Sequence, residues 1–514
     1  MKENRNVHVK KCDAFFKKQQ KQGLALGFGD IRLRTGYSEV SPIEANLNSK
    51  FSRNVNLKIP IVSSPMDTVT EAKMAIAMAK IGGLGIIHKG LSPEEQASAV
   101  GKVKHHLSAF VIDPICVKPS DKVADILRMK IKKDYGFSSF PVVDSDKRII
   151  GIVTGNDFEF CNDPENSQIF EIMSPNPLSL YSSSHEEINI SMAHEMMQKH
   201  HKKILPVCSN DKILEGIYTW ADVKRIVSNN AAQYSLDSQG SLLVGASIGV
   251  SEDDRARAEL LAAKNVDVFV VDTAHGDSLR VIKMVKYLKL QYPGIDVVAG
   301  NVSEGESAKR LVDAGVDGIR VGQGPGSICT TRIISGIGHP QVSAVYECSK
   351  AIYGSGVSIC ADGGIEYSGD ITIALAVGAN TVMLGKLLAG TTESPGSVLY
   401  RNGKAMKVYR GMGSLGAMLD NKASRERYGQ ISSTSDKLVP EGVEAEIAFK
   451  GEVANILFQL VGGLRSGLGY VGAYNLEQLQ EKADFCRISS SGLTESHPHG
   501  LENIQDAPNY HGRS

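Results

Sequence analysis

The chain has 514 residues, 42% of them apolar and 22% charged, with 57 basic residues balancing 57 acidic ones. That length excludes a single small domain and points to a large domain carrying an insert. The charge balance leaves no overall field for nucleic acid or an anionic membrane. Eight cysteines (12, 116, 161, 208, 329, 348, 360 and 486) show no CxxC pair and no framework spacing, so reduced thiols are expected. The opening MKENRNVHVKKCDAFF lacks the apolar core of a signal peptide, and Gly512-Arg513-Ser514 is a poor peroxisomal address. No uncharged apolar run reaches the roughly 18 residues of a membrane span. A cytoplasmic protein is the expectation.

Residues 1–55 are polar and are expected to wrap the body. From Ile59 onward, short apolar runs ending in Gly, Ser or Asp alternate with amphipathic stretches. Strands are expected at Ile61–Ser64, Leu84–His88, Leu242–Ala246, Val266–Asp272, Asp296–Ala299, Gly318–Val321, Val357–Ala361 and Thr381–Leu384. Helices are expected at Glu252–Lys264, Ser278–Leu290, Glu304–Ala314 and Asp370–Ala376. Continuous apolar strands alternating with helices mean a parallel sheet covered by helices. Eight such units imply an α/β fold of the closed (β/α)8 TIM-barrel type, with an open doubly wound sheet as the alternative.

The stretch 92–235 breaks this rhythm and contains a repeat. Phe140-Pro-Val-Val-Asp-Ser-Asp-Lys-Arg-Ile-Ile-Gly-Ile-Val-Thr154 is echoed by Leu205-Pro-Val-Cys-Ser-Asn-Asp-Lys-Ile-Leu-Glu-Gly-Ile-Tyr-Thr219. Each copy reads strand, polar turn, strand, Thr, then an acid three residues on (Asp157, Asp222) that opens a helix. The layout resembles a tandem CBS pair, a Bateman module, with repeats at about 108–165 and 170–230, inserted in a barrel loop where insertion is tolerated. By that resemblance Thr154, Asp157, Thr219 and Asp222 could hold the ribose of a purine nucleotide. A purely architectural module is equally compatible. The barrel then divides into residues 1–91 and 236–514.

Polar and glycine residues stand at the carboxyl ends of the strands: Ser63-Ser-Pro-Met-Asp67, Asp272-Thr-Ala-His-Gly276, Gly300-Asn301, Asp362-Gly-Gly364 and Met383-Leu-Gly385. In a barrel they meet on the face where catalysis occurs. Each alone could be turn punctuation; together they point to a large polar site with a phosphate seat at the amides of Gly364 and Gly385. The sixth strand leads into Gly322-Gln-Gly-Pro-Gly-Ser-Ile-Cys-Thr-Thr331, within an active-site loop 322–341. Three glycines let this loop turn tightly and offer amides to an anion or carbonyls to a cation. Local positive potential could make Cys329 a thiolate nucleophile, although a buried structural cysteine is the simpler alternative on this stretch alone.

From end to end the chain resembles the inosine-5′-monophosphate dehydrogenase (IMP dehydrogenase) / GMP reductase family. The matching segments are Val62-Ser-Ser-Pro-Met-Asp-Thr-Val-Thr-Glu71, the GPGSICTTR loop, Ala361-Asp-Gly-Gly-Ile365, Tyr409-Arg-Gly-Met-Gly-Ser-Leu-Gly-Ala-Met418, Lys437-Leu-Val-Pro-Glu-Gly442 and Glu495-Ser-His-Pro-His499. The resemblance implies that Cys329 adds to C2 of IMP, that hydride passes to NAD, and that water hydrolyses the resulting thioimidate to XMP, the committed step to guanine nucleotides. Thr331 with Arg427 and Tyr428 would activate the water, from a mobile flap at about 415–440. Asp362, Gly364, Gly385 and Gly411 would hold ribose and phosphate, joined by Ser327 and Tyr409. Met412, Gly413 and Glu441 would address the base, and Ser64, Met66, Met383 and Lys386 complete the IMP site.

For NAD the resemblance points to Asp272, Thr273, His275, Asn301, Gly322 and Gly324. It implies K+ on the carbonyls of Gly324, Gly326 and Cys329, with those of Glu495, Ser496 and His497 from a neighbouring subunit, hence a homotetramer that the CBS pair could stack into an octamer. Lys386, Gln323 and His339 depart from the family pattern without removing a required group. GMP reductase, acting on GMP with NADPH, is the alternative enzyme; Arg427-Tyr428 on a long flap speaks against it. A catalytically idle CBS nucleotide sensor or scaffold is a third reading, opposed by intact Cys329, Thr331 and Arg427.

Overall fold

The computed structural model describes residues 2–106, 110–112, 114–132, 135, 137–182, 190–227, 232–430, 434, 437–502 and 507–510. These form two compact units: residues up to 104 with 233–237 and 242–514, and residues 105–232 with 238–241. Among the described residues no helix is long and apolar enough to cross a membrane.

The first unit is built on eight parallel strands: β1 (Ile61–Ser63), β2 (Leu84–Ile87), β3 (Val244–Ile248), β4 (Val268–Asp272), β5 (Asp296–Val302), β6 (Gly318–Val321), β7 (Ser358–Asp362) and β8 (Thr381–Leu384). They are Val- and Ile-rich and almost wholly buried, because helices cover one face and neighbouring strands' side chains the other. The ring closes where Val382 of β8 faces Ile61 of β1, and Val244 of β3 faces Gly85 of β2. Closure rules out the open sheet. Val62, Leu84, Ile86, Val268, Val270, Val298, Cys360 and Met383 fill the interior as one apolar cluster.

Residues 1–55 do more than wrap the surface. A helix at Lys2–Lys21 buries Phe16, and a hairpin pairing Ser49–Lys50 with Asn56–Leu57 adds Phe51, Val55 and Leu57 to the barrel's interior cluster. That hairpin is fixed by Asp296, at the start of β5, which accepts from Ser52 Oγ (2.6 Å) and the Asn54 amide (2.8 Å). The expected insert boundary at 92 also shifts. Pro93–His106 is a helix of the barrel unit as far as Lys104: Gln96 donates to the carbonyls of Ile87 and Ser247, and Lys104 is paired with Asp237 and Asp267.

In the second unit each repeat forms its own small sheet. Phe140–Val143 and Ile149–Val153 pair as a hairpin, and Ile204–Ser209 and Leu214–Thr219 do the same. The strands preceding the repeats are exchanged. Phe110–Ile112 pairs with Leu214–Thr219 of the second repeat, whereas Ser174–Pro175 pairs with Ile149–Val153 of the first. The two hairpins also meet at an antiparallel bridge, Arg148 to Ile213. Val143, Ile149 and Cys208 pack there against Cys116 and Leu214.

Candidate active site

The loop after β6 has glycine at Gly322 and Gly324, where the chain permits nothing larger. Gly322 has φ +145°, and a Cβ there would lie 2.1 Å from the Asp362 carbonyl oxygen. Within the loop the Cys329 amide donates to the Gly326 carbonyl (3.0 Å). The loop is then stitched to the chain beyond the flap: the Thr330 amide donates to the Glu441 carbonyl (2.9 Å), and the Val443 amide to that of Ile328 (3.0 Å). Cys329 is thereby held half-buried, with its Sγ 3.1 Å from Thr331 Oγ1. A thiol so placed is accessible to a ligand, unlike the buried Cys348 and Cys360, whose thiols burial pushes up, that of Cys360 to about 12.

Behind the loop lies a buried charge network that the sequence reading missed in part. Arg320, inside β6 and 1% exposed, donates to Asp272 Oδ1 (2.7 Å) and Asp362 Oδ2 (2.6 Å). Asn301 Nδ2 donates to Asp362 Oδ2 and to the Gly322 carbonyl, both at 2.8 Å. The second Asp272 oxygen takes Arg427. Burial works against the Asp272 carboxylate, but Arg427 and Arg320 outweigh it and hold its pKa below the usual range. Burial likewise opposes the charged Arg320, and Asp362 and Asp272 reverse the sign, leaving it a fixed cation. The available signal was an arginine within an apolar strand, Gly-Ile-Arg-Val, since a charge there requires partners. Replacing it, as in Arg320→Met, strips Asp362 of its cation and leaves Asp272 with Arg427 alone. We expect a loss of about 3–5 kcal/mol, read by chemical denaturation.

In front of this network is a cavity of about 240 Å³. Every residue assigned to IMP lines it, as do Cys329, Thr331, Arg427 and Tyr428. Burial pushes the Tyr409 phenol up to about 12, with Ser327 acting against that rise through a hydrogen bond, and pushes Tyr428 up to about 12. Both are therefore neutral hydroxyls at physiological pH. Lys386 reaches the rim and is exposed. Of the cofactor candidates, Asn301, Gly322 and Gly324 line the cavity, whereas Asp272, Thr273 and His275 do not. Thr273 is buried with its hydroxyl on the Gly300 carbonyl, and His275 is exposed beside Gln323.

The departures from the family pattern brace the cysteine loop. Gln323 Oε1 accepts from Ser303 Oγ (2.7 Å), and its carbonyl accepts from Arg332 Nε (3.1 Å). Arg332 also donates to the His339 carbonyl (2.5 Å), while the His339 ring faces Glu304 (3.1 Å) and Glu347 (3.9 Å).

The flap expected at 415–440 contains two short helices, Leu415–Asp420 and Lys422–Arg427. Residues 431–433, 435 and 436 lie outside the described residues. The segment reads as polar and poor in anchors, yet Ala417, Met418 and Ser424 are buried. Asn421 joins the helices: its Oδ1 caps the second through the Ala423 amide (2.8 Å). The last turn delivers Arg427 to Asp272 and Tyr428 against Gly413, where a Cβ would lie 2.6 Å from the phenol ring.

A family model described as the IMP dehydrogenase / GMP reductase domain matches residues 25–499. The chain belongs to the IMP dehydrogenase / GMP reductase family. Curated relatives include the inosine-5′-monophosphate dehydrogenases of Aquifex aeolicus, 46% identical over 96% of this chain and 98% of the relative, and of Halalkalibacterium halodurans, 45% identical over 96% and 99%. Among solved structures, a GMP reductase variant from Trypanosoma brucei in complex with guanosine 5′-monophosphate matches with a TM-score of 0.84 and 39% identity, covering 93% of this chain and 98% of that one. Family membership accounts for the barrel described above.

Two groups expected from the family are not among the residues that line the cavity. Glu495 ends the helix Ser490–Glu495, and His497 packs its ring near Tyr367 and Tyr510 of the same chain. Ser496 and His497 line a second recess, on the side of the cysteine loop marked by Pro325 and Arg332. In the CBS-like unit, Thr154 Oγ1 donates to Asp157 (2.8 Å) and Thr219 Oγ1 to Asp222 (2.5 Å), each at the start of a helix.

Proposed function

We propose that the chain oxidises IMP to XMP with NAD+ as hydride acceptor, through a covalent adduct on Cys329. The observation that carries this reading is that Arg427 and Tyr428 share one cavity with Cys329 and Thr331. A reductive deamination has no water step and no use for such a pair. The relatives at 45–46% identity bear the dehydrogenase name, and the matched solved structure bears the reductase name. The flap residues favour the former.

In this reading Cys329 Sγ adds as a thiolate to C2 of the purine. Hydride leaves that carbon, which becomes a thioimidate; water then adds to it, expels the thiolate and leaves the new C2 oxygen of XMP, with one proton released overall. NAD+, when bound, supplies the acceptor for the hydride. Asp362, fixed by Arg320 and Asn301, takes the ribose hydroxyls, and the backbone of Gly364, Gly385 and Gly411 with Ser327 and Tyr409 takes the phosphate. Glu441, beside Met412 and Gly413, faces the base.

Asp272 is shared between half-reactions. It offers a carboxylate to a cofactor ribose hydroxyl, or to Arg427 when the flap is seated as here. While paired, Arg427 is held protonated. Giving up Asp272 while the flap stays seated leaves burial as the dominant influence, which lowers a guanidinium's pKa and suits it to take a proton from water. Thr331, next to the thiol, relays or orients that water.

The carbonyls of Gly324, Gly326, Cys329, Glu495, Ser496 and His497 form a neutral all-oxygen donor set, which suits a large monovalent cation such as K+ better than a divalent one. Completing it from a neighbouring subunit makes the assembly a homotetramer, stackable into an octamer through the CBS-like units. Those units take a purine nucleotide at Thr154, Asp157, Thr219 and Asp222, and the enzyme acts in the cytoplasm.

Mixing the protein with IMP and NAD+ should raise the absorbance of NADH. A silent reaction, together with activity on GMP and NADPH, selects the reductase.

A further inference from the structure

Two residues beyond the end of β2 stands Lys89, 5% exposed, at the mouth of the barrel. Its ammonium faces carboxylates from three elements. Glu426, in the last turn of the Lys422–Arg427 helix, is 3.4 Å away, and Asp254 and Asp272 are close enough to have their pKa values lowered by it. The space it occupies depends on Gly249, where a Cβ would lie 2.5 Å from Nζ. A buried ammonium is stable only with partners. Glu426 is the partner brought by the flap, and in the chain it immediately precedes Arg427.

We propose that Lys89 is a positioning residue for Arg427: by pinning Glu426 it seats the next guanidinium against Asp272 at the catalytic mouth. Consecutive residues on a helix point about 100° apart, so one turn can face the end of β2 with Glu426 and the end of β4 with Arg427. Two further contacts set the same seat. Asn421 Nδ2 donates to the Gly90 carbonyl (2.8 Å), the residue after Lys89, and Lys422 pairs with Asp253 (3.1 Å). The second is exposed on both sides and contributes little. The Lys89–Glu426 pair is only 5% and 14% exposed, which makes it the contact that water and salt weaken least. The inference rests on the hydrolytic role proposed for Arg427.

The test compares wild type with Lys89→Met, Lys89→Arg, Glu426→Gln and the Lys89→Met/Glu426→Gln double variant. The first readout is the rate of trypsin cleavage after Lys422 and Arg425 in the full chain alone, which reports seating without any reaction. The second is rapid mixing with IMP and NAD+, following NADH release and the nucleotide adduct by intact mass. Lys89→Met and Glu426→Gln are expected to be cleaved about tenfold faster, and to hydrolyse the adduct about ten- to a hundredfold more slowly while forming it at the wild-type rate. Lys89→Arg should recover most of both, and the double variant should be no worse than either single one. Unchanged cleavage and hydrolysis overturn the proposal. So does an equal slowing of adduct formation and hydrolysis, the mark of general damage to the site. Should wild type form no adduct, the oxidation itself is refuted, and the cleavage rates still decide whether Lys89 seats the flap.

Discussion

Cys329→Ala is expected to lower turnover by about ten-thousandfold or more while leaving IMP affinity within about threefold of wild type. The asymmetry follows from what the side chain touches. Its Sγ contacts Thr331 Oγ1, and the backbone around it is held independently, by the Gly326 turn and by pairing with residues 441–443. Alanine keeps that backbone, so the ribose and phosphate contacts proposed above should survive and only the proposed nucleophile be lost. NADH formation and calorimetric titration with IMP separate the two effects. Substantial turnover in the alanine variant would remove the thiol from the chemistry.

The second large effect is expected from Arg427→Ala. Adduct formation should stay near wild type, whereas hydrolysis should slow by about a hundred- to a thousandfold, so that the nucleotide adduct accumulates and is seen by weighing the quenched protein. The fold should tolerate the change, because Asp272 keeps Arg320 at 2.7 Å and is not left as an orphaned buried charge. A variant that hydrolyses at the normal rate would show that water is activated elsewhere.

The sequence made the barrel legible because a parallel sheet buries both faces of every strand, so each strand is a bare apolar run. Glycine and acid at the run's end, as at Val268–Asp272 or Ser358–Asp362, mark where it meets solvent. The cavity's lining was legible through short motifs that sit at those ends. Arg320 and Lys89 were harder to find. Each is a lone cation whose partners, Asp272 and Asp362 in one case and Glu426 in the other, are tens to hundreds of positions away, and no local pattern announces such pairs. The hairpin at Ser49–Leu57 was missed for another reason: Phe51, Val55 and Leu57 are spread through an otherwise polar run too short to set a clear periodicity. The flap's anchors, Ala417 and Met418, were hidden in the same way.

The exchanged strands of the second unit have a consequence for dissection of the protein. A fragment cut near residue 170 would keep Phe110–Ile112 but lose its partner, and the remaining half would keep the partner but lose its edge strand; the first half would in turn lack Ser174–Pro175. Neither half would be a free-standing module. A disturbance in one repeat therefore reaches the other through the strands they exchange.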